Sequence, residues 1–206
     1  MKMKLLLMGC FIMLGTTAIA VDKIPSPERN SINIKLGLGT GNVEYQEDNR
    51  YNYDLSLNNT SVNLEYIASY EKGLELGVGV GVARNSLDEW DMDITSIPVY
   101  ALARYKWEKD SDWNPYVFTN LGYSFSNFDY SYSRDDDDYY YSTEVDGGLY
   151  LALGVGAEYK DKFSIELYWN KSILDYKENN YYDYDYDDSD FEIEMITLAF
   201  GYRLDI

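Results

Sequence analysis

The chain ends on Ile196-Thr-Leu-Ala-Phe-Gly-Tyr-Arg-Leu-Asp-Ile206. In an extended strand this places Ile196, Leu198, Phe200, Tyr202, Leu204 and Ile206 on one face and Thr197, Ala199, Gly201 and Arg203 on the other. A strand with one wholly apolar face invites aggregation at the open edge of a soluble sheet, and closing the sheet into a barrel removes that edge. If the apolar face also points away from the barrel, the solvent it meets is lipid, where only a closed sheet satisfies its backbone groups.

Working back from the last strand, seven more runs alternate with the same period of two. Their apolar faces begin at Ile32, Val62, Leu74, Ile97, Val117, Leu149 and Phe163. Most approach the roughly 9–11 residues that a tilted strand needs to cross a bilayer. The joints at Glu71-Lys72-Gly73, Glu108 to Asp112 and Lys160-Asp161-Lys162 are short, whereas polar segments 44–59, 84–93, 126–147 and 174–190 read as long loops. Short and long alternate strictly. The pattern predicts an all-β fold, a transmembrane antiparallel eight-stranded up-and-down barrel over residues 31–206, with periplasmic termini and extracellular long loops. Tyr70, Tyr105, Trp107, Trp113, Tyr159, Phe163 and Tyr202 lie outward near the short-turn end, where an interfacial aromatic belt is expected.

The first residues read as export. Lys2 and Lys4 precede the apolar run Leu5 to Ala20, which closes on Ala18-Ile-Ala20, so residues 1–20 are expected to be a signal peptide and 21–30 a periplasmic leader. Leu7-Met-Gly-Cys10 offers a lipoprotein signal as the competing reading. Cys10 is the only cysteine, so cleavage after Ala20 leaves a chain that cannot form a disulfide. The same cleavage removes two lysines and no acid, moving the formal charge from −19 to −21 and arguing against nucleic acid as a partner.

The inward faces hold Gly37, Gly39, Gly77, Gly79, Gly81, Gly122, Gly154 and Gly156 beside Tyr100, Tyr116, Phe118, Tyr150 and Tyr168, a packed lumen rather than an open one. Lys35, Arg104, Lys106 and Arg203 share the inward side with Glu65, Glu75, Glu158 and Glu166. Charges in a low-dielectric bore are retained when paired. The set reads either as a sealing network of ion pairs or as a gate on an ion path.

The runs Ile97-Pro-Val-Tyr-Ala-Leu-Ala-Arg-Tyr105 and Asn114-Pro-Tyr-Val-Phe-Thr-Asn-Leu-Gly-Tyr-Ser-Phe125, with the terminal strand, resemble the small eight-stranded outer-membrane barrels of the OmpX, Ail and opacity-protein type. The resemblance implies adhesion, surface defence or envelope integrity. The alternative it leaves is a narrow porin or small-solute transporter like OmpW. It also implies partners: outer-membrane lipid and lipopolysaccharide, a host or envelope protein ligand, and the barrel-assembly machinery acting on the C-terminal strand. That machinery usually reads a terminal Phe, where this chain has Ile206.

With no histidine, the chain lacks the base or orienter on which outer-membrane lipases, acyl transferases, deacylases and barrel proteases rely. No enzymatic activity is expected, and no catalytic, cofactor-binding or metal residue is assigned. The loops instead concentrate tyrosine and aspartate: Tyr130, Tyr132, Tyr139, Tyr140 and Tyr141 around Asp135 to Asp138, and Tyr181, Tyr182, Tyr184 and Tyr186 among Asp183, Asp185, Asp187, Asp188 and Asp190. Such a surface is either a solvated anionic fringe or a recognition surface of the tyrosine-rich kind. Asp183, Asp185, Asp187, Ser189 and Glu194 match a calcium-loop spacing, but Asp188 stands where that loop needs glycine. Looser binding of calcium or magnesium by the carboxylates is the expectation there, letting acidic loops sit beside lipopolysaccharide phosphates.

Overall fold

Eight strands close in chain order into one antiparallel barrel: β1 (Arg29–Glu47), β2 (Tyr51–Ser69), β3 (Leu74–Leu87), β4 (Met92–Lys106), β5 (Trp113–Asp129), β6 (Glu144–Tyr159), β7 (Phe163–Lys177) and β8 (Ser189–Asp205). The computed structural model describes residues 26–47, 51–87, 92–107, 111–129, 144–177 and 189–206. Residues 1–25, with the expected signal peptide and most of the leader, lie outside them.

Closure is made by β1 against β8, with Ile32 opposite Leu204 and Leu38 opposite Leu198, so the strand that ends the chain has no free edge. The joints between β2 and β3 and between β6 and β7 are tight because their residues accept left-handed backbone. Lys72 and Gly73 carry φ of 63° and 77° between β2 and β3, and Lys160 and Asp161 carry 51° and 56° between β6 and β7.

Period-two alternation sorts the side chains as expected. Leu36, Leu38, Val78, Leu121, Val155 and Phe200 are each more than half exposed, within a continuous apolar belt around the barrel. The aromatic residues gather at the short-turn rim and pack on one another: Tyr105 on Trp107 at 5.4 Å along one strand, and Trp113 on Tyr159 at 4.9 Å and Phe163 on Tyr202 at 5.2 Å across strands, between ring centroids.

The strands run further than the sequence reading placed them. β1 and β2 stay paired up to Glu47 and Tyr51, inside the expected loop 44–59. The expected loop 84–93 is entered by β3 as far as Leu87 and by β4 from Met92; 126–147 by β5 to Asp129 and β6 from Glu144; and 174–190 by β7 to Lys177 and β8 from Ser189. The barrel also starts at Arg29 rather than Ser31, because the amide of Glu28 already donates to Ser69 O at 2.9 Å. The physical reason lies in the solvent. Beyond the belt the alternation reverses, with Asn42, Ser56 and Asn58 outward and Val43 and Leu57 inward, as a strand in water requires.

Candidate functional site

The bore is filled in layers, each supplied by the inward residues of several strands. At the short-turn end all eight charges singled out in the sequence meet, each at most 5% exposed. Lys35 Nζ lies 2.6 Å from Glu65 and donates to Glu166 at 2.8 Å. Arg104 reaches Glu75 at 3.3 Å and Glu166 at 3.2 Å. Arg203 sits 3.0 Å from Glu158, and Lys106 donates to Glu158 at 3.3 Å. Four cations thus face four carboxylates, which is the condition for holding charge in so dry a place. Lys106 also donates to Asp161 in the turn below, at 3.3 Å. Partial burial pushes the Asp161 carboxyl up, but the charge and hydrogen bond of Lys106, joined by a hydrogen bond with Glu158 and the charge of Arg29, together hold the group below its ordinary range.

Aromatic rings close the next level. Tyr116 OH donates to Glu166 at 2.7 Å and Tyr100 OH to Glu65 at 3.0 Å, so the rings are tied down onto the charges. Phe118 packs against Tyr168 at 5.7 Å and Tyr100 against Tyr150 at 5.6 Å. The Arg104 guanidinium stacks over Tyr116 at 4.3 Å. Glycines make the room, since a Cβ at Gly156 would stand 2.5 Å from the Tyr116 ring.

Above the rings comes an uncharged polar layer. Asn59 donates to Asn85 at 2.7 Å and Asn170 to Thr197 at 3.1 Å, around a cavity of about 30 Å³. Ser124 Oγ and Asn170 Oδ1 line it without a protein partner, and a space of that size admits about one or two bridging waters. The fourth level is aliphatic: Val43, Leu57, Leu87, Ile94, Leu174, Ile193 and Met195 form one buried cluster, with Leu55 packed on it. Neither upper layer was found by sequence reasoning. Leu57 and Leu87 do, however, keep the parity of the inward residues Glu65 and Glu75, a signal that was available.

Of the loop residues singled out, Asp135 to Asp138, the tyrosines at 130–141 and 181–186, Asp183, Asp185, Asp187 and Asp188 lie outside the described residues. Ser189 and Glu194 fall inside β8, where the Glu194 carboxylate accepts the Trp169 indole N–H at 2.5 Å. That places Glu194 on the outer wall, in a strand rather than a calcium loop.

The chain matches the family described as outer membrane protein beta-barrel domain over residues 11–203. The match spans nearly the whole sequence, and the protein belongs to that family. Among solved structures it is similar to neisserial surface protein A, at 12% identity and a TM-score of 0.52, covering 83% of this chain and 96% of that one. It is similar also to the outer membrane protein OprG from Pseudomonas aeruginosa, at 12% identity and a TM-score of 0.53, covering 87% and 97%. At such identity these likenesses establish the shared barrel. A search of curated protein sequences returned no match. The apolar belt is therefore the lipid-facing surface of an outer-membrane barrel.

Proposed function

We propose that the protein is a non-enzymatic surface barrel that works by recognition or adhesion through its long loops, with the long-loop rim outside the cell and both termini in the periplasm. The observation that carries this reading is the closed bore. Charged, aromatic and aliphatic layers follow one another along it, and each is packed nearly free of solvent. This weighs against the competing porin or transporter, whose solute would have to displace every layer in turn, and it favours the sealing network over the gate. What the closed bore leaves for recognition is the loops, whose sequences cluster tyrosine, a residue that offers large amphipathic contact at low entropy cost.

Replacing 130–143 and 178–188 with short Gly/Ser turns tests it. Loop length costs little in closure free energy, so the variant folds and inserts, and binding to cells, matrix or envelope partners is lost. Binding equal to the parent's would overturn recognition in favour of an envelope-structural role.

A further inference from the structure

At the long-loop rim the barrel wall splits between β5 and β6. The two strands pair without a break from Trp113 opposite Tyr159 up to Ser124 opposite Gly148, and there their ladder stops. Both strands nevertheless run on. β5 stays paired with β4 as far as Asp129 opposite Asp93, and β6 stays paired with β7 as far as Glu144 opposite Lys177. The other hairpins of this rim keep their strands together: Glu47 lies opposite Tyr51, Leu87 opposite Met92 and Tyr176 opposite Ser189. The cause of the split is one extra residue. The β6–β7 register shifts between Asp146 and Gly148, which makes Gly147 a bulge, and a bulge bends its strand and ends pairing beside it. Gly147 also closes the foot of the split, because a Cβ there would stand 2.2 Å from Ser124 O and its carbonyl accepts the Tyr123 hydroxyl at 2.5 Å.

Hydrogen-bond alternation decides what β5 offers there. The amide of Trp107 donates to Pro115 O at 2.9 Å on the β4 side, and that of Lys160 to Asp112 O at 2.8 Å on the β6 side. Odd-numbered residues of β5 therefore bond to β4 and even-numbered ones to β6. Above the foot, Ser126 and Phe128 turn their backbone N–H and C=O groups into the split, and among the described residues no strand pairs with them on that side.

An open edge of this kind is ordinarily guarded by lysine or proline. Residues 125–129 and 144–147 contain neither, nor any arginine, and their only charges are Asp129, Glu144 and Asp146. The guard thus has one sign. It opposes a second copy of a chain whose formal charge is −19, since like charges on paired strands destabilise, and it favours a cationic strand. We infer that the split between β5 and β6 is a strand-docking site, where a short, extended, basic segment of a partner protein adds to the β5 edge through the backbone of Ser126 and Phe128 and is drawn there by the acidic balance of the two edges. The inference gives a partner class to the recognition proposed above and rests on that reading.

The full chain, refolded in detergent, is titrated into a fluorescein-labelled peptide that alternates lysine and valine, and binding is read by anisotropy. Two further peptides separate the causes: one N-methylated at alternate residues, which keeps the charge and loses the strand bonds, and one with glutamate in place of lysine. The parent binds the first about tenfold more tightly than the N-methylated form, the order expected for a few backbone hydrogen bonds, and does not bind the glutamate form. Phe128→Pro removes an N–H that faces the split and spares the bonds to β4. With its heat-dependent gel mobility unchanged it loses about tenfold in affinity, whereas Phe128→Ala binds as the parent does. Should the proline variant misfold, the N-methylated peptide still decides. Equal binding of that peptide, a folded Phe128→Pro that binds like the parent, or no binding by the parent would each overturn the inference. So would a parent dimer that Phe128→Pro dissociates, which assigns the edge to a second copy, or peptide binding that appears only after 130–143 is replaced with a Gly/Ser turn, which assigns it to the chain's own loop. No cell enters this assay, so its failure leaves recognition through the loops standing. Cell binding unchanged by the loop replacements sinks recognition whatever the peptide does.

Discussion

Arg203 on the last strand donates from both terminal nitrogens to the two carboxylate oxygens of Glu75 on the third, at 2.8 and 2.9 Å, so β8 is joined to β3 across the bore. The two-pronged geometry is one that lysine cannot reproduce. Arg203→Ala leaves four buried carboxylates facing three cations and is expected to destabilise the barrel by about 3–5 kcal/mol in urea unfolding. Adding Glu75→Gln restores the balance of charge and recovers part of the loss. A double variant no more stable than Arg203→Ala would show that charge balance is not what holds the network.

Planar bilayers containing the parent protein are expected to stay silent. The layers are independent seals, so the triple variant Leu57→Ala/Leu174→Ala/Ile193→Ala, which thins only the aliphatic one, stays silent too, because the rings and ion pairs below are untouched. A steady, large current from the parent would restore the porin reading.

Within the lipid the fold was legible because one rule covers it: Ile196 to Leu204 on β8 and Leu74 to Val82 on β3 alternate without a break, apolar outward. The same parity exposed Lys35, Glu65, Arg104 and Glu166 as an inward set. The upper barrel was not legible because the rule changes sign where the solvent changes. Ser56-Leu57-Asn58 and Ser86-Leu87 still alternate, but with the apolar member inside. Set among aspartates and tyrosines, those short reversed runs read as polar loop. Which carboxylate each cation selects was likewise beyond the sequence, since it depends on reach across the bore, as from Arg203 to Glu75.

That reversal makes a prediction on β7. Leu174 is fully buried in the aliphatic layer, while its neighbour Ile173 faces outward. Leu174→Ala is therefore expected to cost about 2–5 kcal/mol, the range for truncating a packed core leucine. Ile173→Ala should cost clearly less in the same denaturant titration. Were 174 a loop residue, as the sequence alone indicated, both changes would be nearly neutral.

The last prediction concerns Gly156 on β6 and Tyr116 on β5, which face each other in the register. A Cβ at 156 would stand 2.5 Å from the Tyr116 ring, and that ring cannot swing aside freely. Its hydroxyl is bound to Glu166 at 2.7 Å and its face lies under the Arg104 guanidinium at 4.3 Å. Moving the ring therefore breaks a buried hydrogen bond and a stacking contact, so Gly156→Ala is expected to destabilise by about 1–3 kcal/mol as overpacking does. Tyr116→Leu is destabilising by itself, since it strips Glu166 of a donor and opens a void. In the double variant the new methyl group occupies part of that void. The two effects should then fall short of additivity by at least about 0.5 kcal/mol in a double-mutant cycle followed by urea unfolding. Strict additivity would mean that Gly156 does not make room for the Tyr116 ring, and that the β6 glycines are kept for strand coiling alone.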